Sequence, residues 1–296
     1  MFDHIERFYQ PTSVREALLL LRKVGKHGRI VAGATDIATQ ADRSTRFLVD
    51  VTRLGLNYIR GNNRGCLIGA TTTMATLEHS WVLRKFAGGI LAKAAATCGS
   101  IQNRNMATVG GNLANASPAA DTAAVLLAVD AQVVVASSQR KRKIALTEFY
   151  AGPHRTVLDG ELLLEVIIPT LPGGGRMGWS FQKLGRTETD ISLVNVAAGI
   201  QIDGHGRIKW VRIALGAVGP TPLRARKAEE LLLGNTLNED LLMQVGGAVW
   251  KEVSPISDGR ASAEYRREMS AVLAKRALRE CAAQTVEAAS RRHRAR

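Results

Sequence analysis

Apolar residues recur at helical spacing over residues 14–24, behind the cap-like run Pro11-Thr12-Ser13, which predicts a first helix. Short apolar runs at 29–32 and 47–51 predict strands, the first opening into the small-residue turn 33–36. A strand pair is predicted at 58–61 and 66–70 around the turn Asn62-Asn63-Arg64-Gly65. Helices follow at 75–79 and 88–98, then a polar stretch at 99–107 and a short helix at 121–127. Strands are predicted at 131–136 and 162–168, the latter stopped by Pro169. Beyond the linker 171–175 come strands at 179–184, 194–202 and 208–215, with Asp203-Gly204-His205-Gly206 as a tight turn. Helices at 225–233, 238–253 and 263–289 close the chain. The order predicts an α+β protein of three units: a small α/β unit over 1–57, a larger mixed unit over 58–172, and a three-stranded antiparallel sheet with a helical layer over 176–290.

Composition narrows the function classes. The 296 residues are 46% hydrophobic, with no apolar run long enough to cross a bilayer. The opening Met1-Phe2-Asp3-His4 is unlike a secretory signal, and three scattered cysteines, read as reduced thiols, fit a cytoplasmic setting. Three scattered cysteines and six scattered histidines form no metal or cluster motif. The net charge of +14 raises nucleic acid as a partner. Its distribution argues otherwise. Arg140-Lys141-Arg142-Lys143 supplies four charges and reads as a solvated turn between strands; the segment from Arg266 onward supplies six net, in a helix ending in the tail 291–296. With aromatics at 5%, none interleaved with these runs, no stacking platform forms.

Three glycine-rich turns are candidates for chemistry. Gly173-Gly174-Gly175-Arg176-Met177-Gly178 fits GxGxxG, but it follows Pro172 and leads into a predicted strand, the wrong context for a dinucleotide fingerprint. Ala32-Gly33-Ala34-Thr35-Asp36 follows a strand, and Thr108-Val109-Gly110-Gly111-Asn112 precedes an Ala/Asn-rich segment. Successive backbone N–H groups in such turns make a concavity suited to a diphosphate. Each turn alone reads more readily as a tight chain reversal than as a binding site.

Together, in order and spacing, these segments resemble the FAD-binding medium subunit of molybdenum hydroxylases. That family includes the carbon monoxide dehydrogenase medium subunit and the flavin segment of xanthine dehydrogenase and aldehyde oxidase. The first motif of that family, A-G-G-x-[ST], is matched at 32–36, with Ala34 in place of glycine; the second, T-[IV]-G-G-N, is intact at 108–112. Ala116-Ser117-Pro118-Ala119-Ala120-Asp121, Lys183-Leu184-Gly185-Arg186 with Asp190-Ile191-Ser192, and Ser257-Asp258-Gly259-Arg260 extend the resemblance over residues 5–285.

The resemblance implies a two-part PCMH-type FAD-binding domain and a C-terminal domain like that of the CO dehydrogenase flavoprotein. It implies that Ile30, Val31, Ala32, Gly33, Ala34, Thr35, Asp36 and Ile37, with Thr108, Val109, Gly110, Gly111 and Asn112, wrap the diphosphate and ribityl chain. Asp121 would hydrogen-bond the cofactor, Lys183 or Gln182 would lie near the flavin, Ile191 would pack on its face and Leu163 on its edge. Without the resemblance, Asp121 reads as a helix cap, Lys183 as a surface lysine, and Ile191 and Leu163 as core. With no His or Cys inside the two motifs, the FAD is expected to be noncovalent. The implied partners are a large molybdopterin-binding subunit and a small subunit with two [2Fe–2S] clusters, assembled as a dimer of heterotrimers, with electrons leaving the flavin for an external acceptor. The competing readings are a nicotinamide-dependent oxidoreductase and a basic nucleic-acid-binding protein.

Overall fold

A computed structural model describes residues 4–40, 42–62, 65–173 and 175–294, with side chains of the last helix to Glu287. The first unit is β1 (Arg7–Tyr9), α1 (Val14–Val24), β2 (Gly28–Val31) and β3 (Phe47–Asp50). Ser13 caps α1, its hydroxyl accepting from the Glu16 N–H at 3.2 Å, while the Glu16 carboxylate reaches back to the Thr12 N–H at 2.9 Å. Both sides of the helix entry are thereby satisfied. The strands are all parallel in the order β1-β3-β2, so their carboxyl ends lie on one edge.

The second unit opens with β4 (Ile59–Asn62) and β5 (Gly65–Gly69). Residues 63 and 64 of the expected turn lie outside the described residues. Six helices follow: α2 (Met74–His79), α3 (Trp81–Lys85), α4 (Ile90–Ala96), α5 (Ile101–Met106), α6 (Val109–Ala114) and α7 (Asp121–Ala128). Then come β6 (Gln132–Ala136), β7 (Lys141–Ala145), α8 (Leu146–Phe149), the small hairpin β8 (Tyr150–Gly152) and β9 (Arg155–Thr156), and β10 (Leu162–Pro169). The antiparallel sheet runs β4-β5-β10-β6-β7.

Helices α5 and α6 occupy the stretch expected to be polar coil or turn. Each has six residues, too few for periodicity to register, and each is started by a side-chain cap, Ser100 and Thr108. The basic run 141–143 is also different from expectation: it forms strand β7, paired with 134–136. Arg142 there makes a two-pronged pair with Glu161, at 2.8 and 2.6 Å, and holds that carboxyl below its usual range against the opposing effect of burial.

The third unit contains β11 (Arg176–Leu184), β12 (Val194–Ile202), β13 (Ile208–Gly216), β14 (Leu223–Arg224), α9 (Arg226–Leu232), α10 (Glu239–Glu252) and α11 (Ala263–Arg294). The three expected strands form the sheet, and the two-residue β14 adds a fourth at its edge. Every residue of β12 is buried. One side of the sheet contributes Val194, Val196 and Ile200 to a core with α10 and α11; the other contributes Trp179, Phe181, Ala197 and Ala214 to the core of the second unit. Arg266 of α11 is only 3% exposed, donating to the Leu193 carbonyl and pairing with Asp258. It is a strut inside the fold and no part of a basic surface.

Candidate functional site

The first glycine motif leaves the carboxyl end of β2, where parallel α/β sheets commonly bind ligands. Residues 35–39 form a tight turn, with the Ala38 N–H bonded to the Ala34 carbonyl at 2.9 Å. The backbone N–H groups of residues 33–37 have no hydrogen-bond partner among the described residues. Nor does the Thr35 hydroxyl. Five consecutive free donors at the start of a helical turn constitute an anion cradle. Ala34 adopts φ +57°, a left-handed conformation natural to glycine. The alanine therefore retains the geometry at a cost of about 1–2 kcal/mol.

The second motif does something different. Thr108 caps α6, and its hydroxyl takes the Gly111 N–H at 3.1 Å. The Val109 N–H bonds to the Thr72 carbonyl at 2.9 Å, Gly110 to Ala70 at 2.8 Å, and Asn112 to Thr108 at 2.9 Å. Its first-turn N–H groups are thus already consumed, contrary to the expectation that both motifs offer backbone donors. A Cβ on Gly110 would sit 2.6 Å from the Ala70 carbonyl oxygen, so this glycine serves close packing against the end of β5. Gly111 is the open one: its added Cβ would meet only the Thr108 Oγ1, at 3.0 Å.

The two motifs enclose one cavity of about 270 Å³. A Cβ on Gly33 would lie 1.8 Å from the Met106 carbonyl oxygen, so the glycine lets the first loop close on the segment leading to the second motif. Asn115 fastens the other side, donating to Asp36 at 3.0 Å and accepting from Gln40 at 3.3 Å. Of the expected residues, Ile30, Ala32, Gly33, Ala34, Thr35, Asp36, Ile37, Thr108, Gly110, Gly111, Asn112 and Leu163 line this cavity. Val31 and Val109 do not; both are buried in the packing behind it. Asn112 accepts from the Thr122 hydroxyl at 2.5 Å, and its amide nitrogen has no partner among the described residues. Leu158 and Leu162 join Leu163 in an apolar stretch of wall.

The remaining expected residues lie outside the cavity wall. Asp121 starts α7 but caps nothing; its carboxylate is saturated by Ser192 at 2.5 Å, Asn195 at 3.0 Å, Lys183 at 2.7 Å and Thr97 at 3.3 Å. Lys183 also donates to the Thr97 carbonyl at 2.8 Å. The pair's side chains are 9% and 6% exposed, so Lys183 is no surface lysine, the alternative reading of it, but half of a clasp joining the second unit to the third-unit sheet. Gln182 points to the opposite face of β11, as strand alternation requires, and binds Glu280 of α11 at 2.5 Å. Ile191 is 59% exposed on the loop beside Ser192, which contradicts a core role for it.

Three polar or charged residues of the wall escaped the sequence reading, Arg29, Thr71 and Asn115, besides the apolar Val51, Ala70, Ala107, Ala114, Leu158 and Leu162. Asn115 follows the second motif closely and was within reach of motif logic. Thr71 is 5% exposed, and its hydroxyl has no hydrogen-bond partner among the described residues. Nothing in the local pattern marks a threonine whose hydroxyl will be orphaned.

The GxGxxG segment leads into β11 with no helix after it, and Gln201 pins its Gly173 carbonyl at 2.9 Å. Gly174 lies outside the described residues. Among the described residues no group of His, Cys, Asp or Glu is placed to hold a metal ion, and no helix is long and apolar enough to cross a membrane.

A parallel-sheet anion cradle facing a capped glycine helix across one cavity defines a binding site suited to a ligand that carries a diphosphate. Comparison with known proteins gives the family. Residues 2–171 match the FAD binding domain in molybdopterin dehydrogenase, and residues 179–281 match the CO dehydrogenase flavoprotein C-terminal domain. The chain belongs to the FAD-binding medium subunits of the molybdenum hydroxylases, the flavoprotein subunits of oxidoreductases. It is 31% identical to the glyceraldehyde dehydrogenase medium chain of Sulfolobus acidocaldarius, over 93% of this chain and 98% of that one. It is 34% identical to the 6-hydroxypseudooxynicotine dehydrogenase complex subunit alpha of Paenarthrobacter nicotinovorans, over 90% of each. Among solved structures, the carbon monoxide dehydrogenase of Hydrogenophaga pseudoflava superposes with a TM-score of 0.90 at 29% identity, covering 95% of this chain and 98% of that one.

Proposed function

We propose that this chain holds FAD noncovalently as the electron-transfer subunit of a cytoplasmic molybdenum hydroxylase complex. It would take electrons from two [2Fe–2S] clusters of a small partner and pass them to an external acceptor. A large molybdopterin-binding subunit would select and hydroxylate the substrate, and the complex would pair as a dimer of heterotrimers. The observation that carries this reading is the row of free N–H groups at residues 33–37 facing a cavity. The names of the relatives, a medium chain and a complex subunit, support the assembly.

FAD, when bound, supplies exchange between two-electron and one-electron chemistry. The protein's part is binding and orientation. The N–H groups of residues 33–37 donate to the diphosphate, with the Thr35 hydroxyl and the Asn112 amide beside them. Leu158, Leu162 and Leu163 keep water from one wall. The Asp121–Lys183 clasp fixes the loop through Ser192, so that Ile191 presents an apolar face to the flavin ring. The divisions at 57 and 172 separate the parallel-sheet cradle, the second wall and the covering sheet. Acid extraction of the co-expressed, purified complex tests the reading: one FAD per copy of this chain is expected. FMN, a flavin that stays attached after denaturation, or a folded complex without flavin would sink it.

A further inference from the structure

The cavity wall holds one cation and one anion among its described residues, Arg29 and Asp36. A diphosphate brings negative charge into this space, and Asp36 opposes it. Backbone dipoles alone would have to offset both. Arg29 sits in β2, four residues before Gly33, with its side chain 36% exposed. Its guanidinium donates to the Gln40 side-chain oxygen at 2.6 Å and reaches Asp42 at 3.5 Å. Those two contacts leave three of the five guanidinium N–H groups without a partner among the described residues. Gln40 in turn bonds Asn115, and Asn115 bonds Asp36, so the guanidinium is linked by side-chain hydrogen bonds to the cavity's rim.

We infer that Arg29 is the cationic anchor of the diphosphate and gives this chain its preference for a dinucleotide over an uncharged flavin. The inference rests on the FAD reading above. The weak, exposed contact with Asp42 leaves most of the charge uncompensated, whereas the short bond to Gln40 fixes the guanidinium's position without neutralising it. Planar donors of this kind suit phosphate oxygens better than an ammonium does.

The full-length chain, freed of flavin, is titrated with FAD and with riboflavin at low and high salt. Arg29→Gln should bind FAD about tenfold to a hundredfold more weakly, as expected for lost hydrogen bonds to a charged group, with riboflavin unchanged. The salt dependence of FAD binding should shrink in the same variant. Arg29→Lys should recover part of the affinity. Unchanged FAD binding in Arg29→Gln, or an equal loss for FAD and riboflavin, overturns the anchor role. A folded parent chain that binds riboflavin and FAD equally overturns it too, and one that binds neither overturns the FAD reading itself.

Discussion

Replacing Gly33 by alanine tests whether closure of the first loop on the second unit builds the site. The added Cβ would stand 1.8 Å from the Met106 carbonyl oxygen, 2.4 Å from its carbon and 2.9 Å from the Ala107 nitrogen. All three atoms are backbone, so no side chain can swing aside. That backbone is also pinned: Ala107 N–H bonds to Asn103 at 2.7 Å, and the Ala107 carbonyl accepts from Met74 at 2.8 Å. Ordinary carbon contact would require the segments to part by roughly 1.5 Å, given a normal separation near 3.5 Å. The yielding part must be residues 33–37, which would pull against the Asp36–Asn115 bond. Overpacking of this kind costs about 1–3 kcal/mol. At about 2–4 °C per kcal/mol for a chain of this size, the midpoint of thermal unfolding should fall by several degrees. FAD affinity should drop as well, because the donors leave their alignment. Circular dichroism melts of the flavin-free chain and FAD fluorescence titration read the two effects separately, with Gly247→Ala, far from the cavity wall and with nothing within 4 Å of the added Cβ, as the permissive control. A Gly33→Ala chain with parental melting and parental FAD affinity would refute the close-approach argument.

Four further outcomes are expected. Ala34→Gly relieves left-handed strain but frees the unfolded chain, for a net change between zero and about 1 kcal/mol of stabilisation; a clear loss of stability in denaturant melts would contradict this. Lys183→Met leaves a buried carboxylate without its counter-charge and should cost about 3–5 kcal/mol, while the Asp121→Asn/Lys183→Met double variant should cost less than the sum of the singles; strict additivity in urea unfolding would mean the clasp is not a coupled unit. Thr71→Val removes an orphaned buried hydroxyl, so the flavin-free chain should melt no lower than the parent; a marked fall would show a partner that the geometry lacks. For Asp258, burial alone would raise the carboxyl, but the Arg260 N–H, the Arg266 guanidinium and the Ala261 N–H hold it far below its usual range. Its stabilisation is then present above the unfolded carboxylate value near pH 4 and is lost as pH falls below it. Asp258→Asn should flatten the acid limb of a stability profile measured between about pH 5 and pH 2, and an unchanged limb would assign acid lability to other groups.

The elements legible in the sequence were those whose periodicity runs long enough to count: α1, β10, the three long strands of the third unit and its helices. The six-residue helices α5 and α6 were not, because a cap and one turn carry no repeat. The first motif was legible as a turn whose backbone N–H groups stay free. The second was not, since its N–H groups are consumed by carbonyls at residues 70 and 72, nearly forty positions away in sequence. Asp121 and Lys183 show the same limit: nothing in the sequence marks a carboxylate and an ammonium 62 residues apart as an ion pair until folding brings them to 2.7 Å. Arg29 was passed over because a cation within a strand carries no signal until the turn after it closes.

The glycine segment at 173–175 looks like a place to cut the chain, but the hydrophobic contacts ignore it. Trp179 and Phe181, just beyond the segment, are packed into the core of the residues before it, and β12 is buried on both sides. Severed there, the first fragment would lose part of its interior and the second would present a bare apolar sheet face to water. Each fragment would expose, on its own, apolar surface that the other now covers. What reads in the sequence as two modules joined by a linker is, in its packing, one body with a shared interior.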